Sequence, residues 1–390
     1  MLLILTSILF LQPSAPAAEA PFELRDGDRV VLLGGTLIER DQSYGHLETA
    51  LTARWPGRSI TFRNLGWSGD TVFGHARAGF GTTTEGFQHL KEQVAASRPT
   101  VLLVAYGAVE SFDGAEGLPR FVEGLNTLLD AVATTKARVV LLAPNPHEDL
   151  GPPLPNPASH NRDLALYRDA IRDVANHRGY RLIDLFDALR NHPDAPLTNN
   201  GIHLTDRGAR AFADAVLRGL GLEPSKWSVS VDATRKDVTA QGATVRDLEA
   251  VADRVRFRVL DDTLPGPAAS RTLRIAGLAP GHYTLTIDGQ PVADADAGAW
   301  ARGVTLTQGP EFETLKRLRT AIGRKNTLFF YRWRPQNETY LFGFRKHEQG
   351  QNAAEVPRFD PLVAEQEKAV EGLRKPVEHA YELKKGINRR

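Results

Sequence analysis

The residues best placed to do chemistry begin at Gly34-Gly35-Thr36. Val30-Val31-Leu32-Leu33 before them has the pattern of a buried strand, and the segment after them reads as a helix. In an open α/β sheet, ligands gather in the crevice at the carboxyl ends of the strands. A hydroxyl at that place, Thr36, can serve as a nucleophile. The same residues also suit a plain tight turn in which Thr36 caps the next helix. His203, in Thr198-Asn199-Asn200-Gly201-Ile202-His203-Leu204, lies just before another helix-like stretch and has the side chain of a general base. Asn200 can hold that ring by a hydrogen bond, but without a charge. Glu110 follows the third apolar run, where its carboxylate can enter the same edge of the sheet or cap a helix. Asp70, His147 and Glu148 lie in loops at that edge as well, with turn or surface roles as their ordinary uses.

These groups need a frame, and strand-like and helix-like stretches alternate through the first half of the chain. Strands are expected at 29–33, 59–64, 101–105, 139–142 and 181–184, and helices at 44–55, 84–97, 118–134, 160–177 and 206–217. The segment 144–157 is proline-rich and reads as loop. This order predicts an α/β fold: a three-layer, flavodoxin-like parallel sheet with helices on both faces. From Trp227 the pattern changes to period-two alternation, as in Val255-Arg256-Phe257-Arg258-Val259, with Pro-Gly and Asp-Gly turns. A small antiparallel β module is expected over 226–308, after an α/β domain over 21–225. The tail, 309–390, reads as helical, with helices at 311–325 and 361–385. Between them, 329–347 interleaves aromatics with arginines, a pattern that suits docking onto the rest of the chain or stacking on sugars.

Composition narrows the function classes. The 390 residues are 42% hydrophobic and 24% charged, with a net charge of +1, so no basic field calls for nucleic acid. Cysteine is absent, which excludes disulfides and a thiol nucleophile. Leu2 to Leu11 forms an apolar core followed by Ala18-Glu19-Ala20, the pattern of a cleaved export signal over 1–20. Export to the periplasm or beyond is expected, and no later stretch is apolar enough to make this an integral membrane protein. Leu33-Gly34-Gly35-Thr36 lacks the glycine spacing of a dinucleotide site, and no cluster has metal-ligand spacing. No cofactor or metal is expected.

Taken together, Gly34-Gly35-Thr36, Asn64-Leu65-Gly66-Trp67-Ser68-Gly69-Asp70-Thr71, Gly107-Ala108-Val109-Glu110 and Gly201-Ile202-His203-Leu204 resemble the sequence blocks of the SGNH (GDSL-type) hydrolases. The resemblance covers roughly residues 28–220 and implies that family's fold and ester hydrolysis. It puts Thr36 at the nucleophilic serine, Gly66 at an oxyanion-hole amide and His203 at the base. It also exposes departures: Gly35 stands where an aspartate is usual, Val109 replaces an oxyanion-hole asparagine, and Asn200 replaces the aspartate that orients the histidine. Losing one oxyanion donor costs about 2.7–4 kcal/mol in comparable sites. An Asp-to-Asn change behind a catalytic histidine costs roughly 10⁴ in rate elsewhere. The resemblance therefore implies a small-molecule or polysaccharide ester as substrate, with a carbohydrate acetyl ester as the narrower expectation. A catalytically degenerate protein that binds a polysaccharide or protein partner is the alternative.

Overall fold

The computed structural model describes residues 20–190, 192, 195–251, 253–266, 270–348 and 352–386. The expected export signal, 1–20, lies outside the described residues apart from its last position.

The five expected strands form one parallel sheet. Its strands are β1 (Arg29–Gly34), β2 (Thr61–Gly66), β3 (Val101–Ala105), β4 (Arg138–Leu142) and β5 (Arg181–Ile183), in the order β2-β1-β3-β4-β5. The connecting helices are α1 (Thr36–Tyr44), α2 (His46–Arg54), α3 (Thr83–Ser97), α4 (Gly114–Ala133), α5 (Ala158–Arg178), the short α6 (Leu185–Ala188) and α7 (Asp206–Gly219). Successive strand residues alternate between faces, and the core divides accordingly. Val30, Leu32, Val101, Leu103 and Leu142 pack with Ile38, Leu47, Phe212 and Val216 on one face. Val31, Leu33, Leu102, Val104 and Leu141 pack with Leu90, Phe121, Leu128 and Ile171 on the other. The sheet is thus covered on both sides, as the continuous hydrophobic runs of β1, β3 and β4 require.

The first helix differs from expectation. A single helix over 44–55 is predicted, but helix begins at Thr36 and breaks at Gly45, which adopts φ +66° and ends α1. A side chain there would also approach Ile322 at 3.3 Å. Helical structure therefore starts directly at the candidate nucleophile.

The β module comprises β6 (Trp227–Asp232), β7 (Asp237–Gln241), β8 (Ala243–Val251), β9 (Arg254–Asp261), β10 (Arg271–Ala276), β11 (His282–Ile287), β12 (Gln290–Asp296), α8 (Ala297–Arg302) and β13 (Val304–Thr305). Together with β14 (His379–Lys385) from the tail, its strands form two sheets, β13-β10-β6-β7 and β12-β11-β14-β9-β8. Pairing is antiparallel except between β6 and β10.

The tail contains α9 (Pro310–Trp333), α10 (Glu338–Leu341), α11 (Phe359–Leu373) and β14 (His379–Lys385). The expected last helix, 361–385, is corrected. Helix ends at Leu373, and His379–Lys385 is a strand inserted between β9 and β11. The reason is period-two burial: His379, Tyr381 and Leu383 point into the module's core while Ala380 and Glu382 face outward. The first half of the aromatic-basic run takes the docking role, because α9 extends through it and Phe329 and Trp333 pack against the α/β core. Lys325 of α9 reaches the Glu48 carboxylate and the Phe62 carbonyl in a buried contact.

Candidate active site

The loops after β1, β2, β3 and β4 and the loop before α7 meet at one edge of the sheet. They enclose a cavity of about 140 Å³ whose lining includes Thr36, Asp70, Tyr106, Glu110, His147 and His203. Thr36 and His203 are therefore brought to one cavity, although among the described residues no direct hydrogen bond joins them.

Thr36 is the first residue of α1. Gly35 is the N-cap, and no side chain caps the helix, so the Thr36 hydroxyl is not spent on capping. Its partner is the Gly69 amide, which donates to Thr36 Oγ1 at 3.4 Å, long for a hydrogen bond. As the first helical residue, Thr36 also has a backbone N–H without an intrahelical acceptor, at the positive end of the helix dipole. Gly34, two residues before Thr36, is required by close approach. A Cβ on Gly34 would lie 2.4 Å from the Ala105 carbonyl oxygen.

Gly66 does not take the position expected of an oxyanion donor. Its N–H donates to Asn64 Oδ1 at 2.8 Å, and Asn64 in turn donates to the Ile38 carbonyl. A Cβ on Gly66 would fall 2.1 Å from the Glu39 nitrogen. Gly66 thus allows β2 to press against the backbone of α1, and its amide is occupied. The amide of the second block that faces Thr36 is that of Gly69, three residues on, at an exposed turn with φ +76°.

That turn is fixed on its far side by a buried network. Asp70 accepts from Arg77 Nε at 2.7 Å, from the Tyr106 hydroxyl at 2.8 Å and from the Ala76 amide at 3.3 Å. Burial, first of all, pushes the Tyr106 phenol well above its usual range, so it stays a donor. Glu110 has a comparable structural use. Its Oε1 accepts the Val72 amide and its Oε2 the Gly107 amide, each at 2.9 Å, which ties the loop after β2 to the loop after β3. Burial raises its carboxyl to about 7. Among the described residues no hydrogen bond links Glu110 to Thr36 or His203. Val109, in place of the expected asparagine, also lines the cavity.

His203 sits in a loop closed by the Thr198–Leu204 bridge. Glu148, in the loop after β4, clamps that loop by accepting the Thr198 hydroxyl and the amides of Leu197 and Thr198. The Asn200 amide has only one workable orientation. Its Oδ1 accepts the backbone N–H groups of His203 at 2.9 Å and Ile202 at 3.2 Å. Its Nδ2 consequently faces His203 Nδ1, at 3.1 Å. Because an amide N–H donates, Nδ1 must be the acceptor, and the neutral ring carries its proton on Nε2. Burial, followed by the charge of Arg40, holds His203 below its ordinary value of 6.5. His147, on the cavity wall beside His160, is lowered further, to about 4, by burial and then by that neighbour. Asp41, deep in the same cavity, is raised to about 7 by burial and by Glu48.

Sequence reasoning missed Gly69 as the facing amide, Glu148 as the clamp on the histidine loop, and Glu39, described below. Glu148 was visible only as a loop carboxylate. The signal for Gly69 was the Ser-Gly-Asp turn itself, in which glycine allows positive φ.

Comparison with known proteins bears on the family and the fold. A family model described as the GDSL-like Lipase/Acylhydrolase family matches residues 26–211. The structure of BT4096, a gut microbial diltiazem-metabolizing enzyme, superposes with a TM-score of 0.74 at 15% identity, covering 93% of this chain and 98% of that one. The combination of α/β unit, β module and tail is therefore a fold that recurs. Axe2, an acetylxylan esterase from Geobacillus stearothermophilus, matches at 18% identity over 52% of this chain and 97% of its own, with a TM-score of 0.42. LAE5, an alpha/beta hydrolase enzyme from the metagenome of Lake Arreo, Spain, matches at 21% identity over 51% and 98%, with a TM-score of 0.41. No curated protein sequence matches significantly. With its blocks in order and the loops that carry them around one cavity, the α/β unit of this chain, residues 26–211, belongs to the GDSL-like lipase/acylhydrolase family, a family of ester hydrolases.

Proposed function

We propose that the protein is an exported esterase that removes a short acyl group, such as acetyl, from a carbohydrate alcohol. In this reading Thr36 is the nucleophile, His203 the base, and the amides of Gly69 and Thr36 receive the developing oxyanion. The observation that carries it is the Gly69 N–H directed at Thr36 Oγ1 within the cavity that His203 also lines. Attack on the ester carbonyl requires the Thr36 proton to pass to the imidazole. The tetrahedral intermediate then expels the alcohol, which takes a proton back from His203, and water repeats the sequence on the acyl-threonine. Asn200 hinders the first step. With its donor on Nδ1, the neutral ring presents Nε2–H where a lone pair is needed, and the imidazolium gains no carboxylate. A slow enzyme is expected.

The narrower substrate class rests on size and polarity. The 140 Å³ cavity at Thr36 suits a small acyl group. A larger groove of about 900 Å³ shares Asn145, His147 and Leu204 with it and continues along Glu148, Asn161 and Arg162. It adjoins the histidine loop, the side from which a leaving alcohol receives its proton. Polar side chains set among apolar surface in this way suit a polyol. The same Asn200 contact favours the second reading, a family member that has kept the pocket for binding and lost turnover.

The pH–rate profile tests the assignment of the base. The lowered pKa of His203 leaves the ring neutral at neutral pH. kcat/KM is expected to rise with pH through a midpoint below 6.5 and then level off. Arg40→Gln removes a charge that lowers His203, so it should move that midpoint upward. Glu110 and Asp41 titrate near 7, and only movement of the limb in Arg40→Gln assigns it to the imidazole. A wild-type midpoint above 6.5, unmoved in the variant, would exclude His203 as the base.

A further inference from the structure

We propose that Arg334, at the carboxyl end of α9, is a positioning residue for the hydrolytic site and acts through Glu39 on the Ser68–Gly69 turn. The inference rests on the reading above, in which the Gly69 amide stabilises the oxyanion.

The contacts form a continuous path. Arg334 Nη1 donates to Glu39 Oε2 at 2.5 Å. The same oxygen accepts the Ser68 amide at 2.8 Å, and Glu39 Oε1 accepts the Ser68 hydroxyl at 2.9 Å. Both carboxylate oxygens therefore hold the residue immediately before Gly69. Glu39 is three residues beyond Thr36, in the first turn of α1, so one rigid turn carries both the candidate nucleophile and the anchor of its facing amide. The Arg334 guanidinium also lies 3.8 Å from the Trp67 ring centroid, and Trp67 meets Trp333 edge-on at 5.8 Å. The turn is thus gripped on one side by Asp70 with Arg77 and on the other by Glu39 with Arg334. The second grip comes from the tail, 295 residues away in sequence.

The charge on Arg334 is what this arrangement needs. Glu39 and Arg334 are largely buried, with side chains 21% and 26% exposed. Among the described residues, Arg334 is the cation paired with this carboxylate. Without it, Glu39 gains by turning toward water and the Ser68 hydrogen bonds weaken. An oxyanion donor displaced by a fraction of an ångström loses transition-state stabilisation while leaving ground-state binding in place. The consequence belongs in kcat rather than in KM.

The experiment uses the full chain as wild type, Arg334→Ala, Arg334→Lys and Glu39→Gln. Hydrogen–deuterium exchange over residues 66–72 is measured alongside kcat and KM for p-nitrophenyl acetate. In Arg334→Ala, exchange in this segment should quicken several-fold and kcat should fall about tenfold or more at nearly constant KM. Arg334→Lys, which restores a cation at Glu39, should recover most of both, and Glu39→Gln should resemble the alanine variant. Unchanged exchange in Arg334→Ala overturns the proposal. So does quickened exchange with kcat intact, or a loss that appears only as raised KM. If Arg334→Ala does not fold, Glu39→Gln and Arg334→Lys decide by the same criteria. If wild type does not hydrolyse the ester, the catalytic reading fails, and the exchange data alone decide whether Arg334 holds the turn.

Discussion

Asn200→Asp is expected to raise kcat by on the order of 10²–10³-fold, a gain of function from a single atom exchanged for another of nearly equal size. The present amide spends Oδ1 on the His203 and Ile202 backbone N–H groups and presents Nδ2 to His203 Nδ1. An aspartate keeps the first oxygen in place and puts an acceptor where Nδ2 now donates. The ring then carries its proton on Nδ1, frees the Nε2 lone pair, and gains a carboxylate that stabilises the imidazolium. The reverse change in a serine protease triad costs roughly 10⁴. A smaller gain is expected here because Val109 still contributes no oxyanion donor and such effects do not add. The measurement is kcat for a short activated ester at pH 7–8. An equal or lower rate in a folded Asn200→Asp protein would remove His203 from the role of base.

Thr36→Ser should increase kcat by about tenfold. Thr36 starts α1 and carries a β-branch that restricts χ1, and its methyl crowds the approach of an acyl carbon. Serine keeps the hydroxyl that the Gly69 amide faces and removes that methyl. The loss in helix stability should be minor, because the two residues have similar helix propensity. KM should change little, so the comparison is of kcat under saturating ester. If serine lowers the rate of a folded protein, the hydroxyl at 36 is not the attacking group.

The centre of the sheet was legible because β1, β3 and β4 are apolar runs of strand length, as in Val101-Leu102-Leu103-Val104, and buried parallel strands need little else to be identified. The break at Gly45 was not, since its cause includes packing against Ile322 of α9. Strand β14 was hidden by its composition. Glu382, Lys384 and Lys385 read as a charged helix, and its partners β9 and β11 lie about a hundred residues earlier, so local pattern carried no sign of the pairing. At the site, Thr36 and His203 were found because each stands in a short block that ends a strand or opens a helix. Gly66 and Gly69 are three residues apart in one block, and the sequence does not say which amide is free. The Asn64 side chain decides it by occupying Gly66. Glu39 and Arg334 were beyond reach, because their meaning arises only when the tail folds back on α1.

The roles of Thr36 and His203 are tested by hydrolysis of p-nitrophenyl acetate and a panel of acetylated sugars by the purified protein beside Thr36→Ala and His203→Ala, with folding of each checked by circular dichroism. Wild type should turn over slowly but measurably, at least one acetylated sugar should be among the substrates, and both variants should fall to background. Wild-type turnover that survives in Thr36→Ala, or a wild type indistinguishable from the two variants on every ester, would contradict those roles.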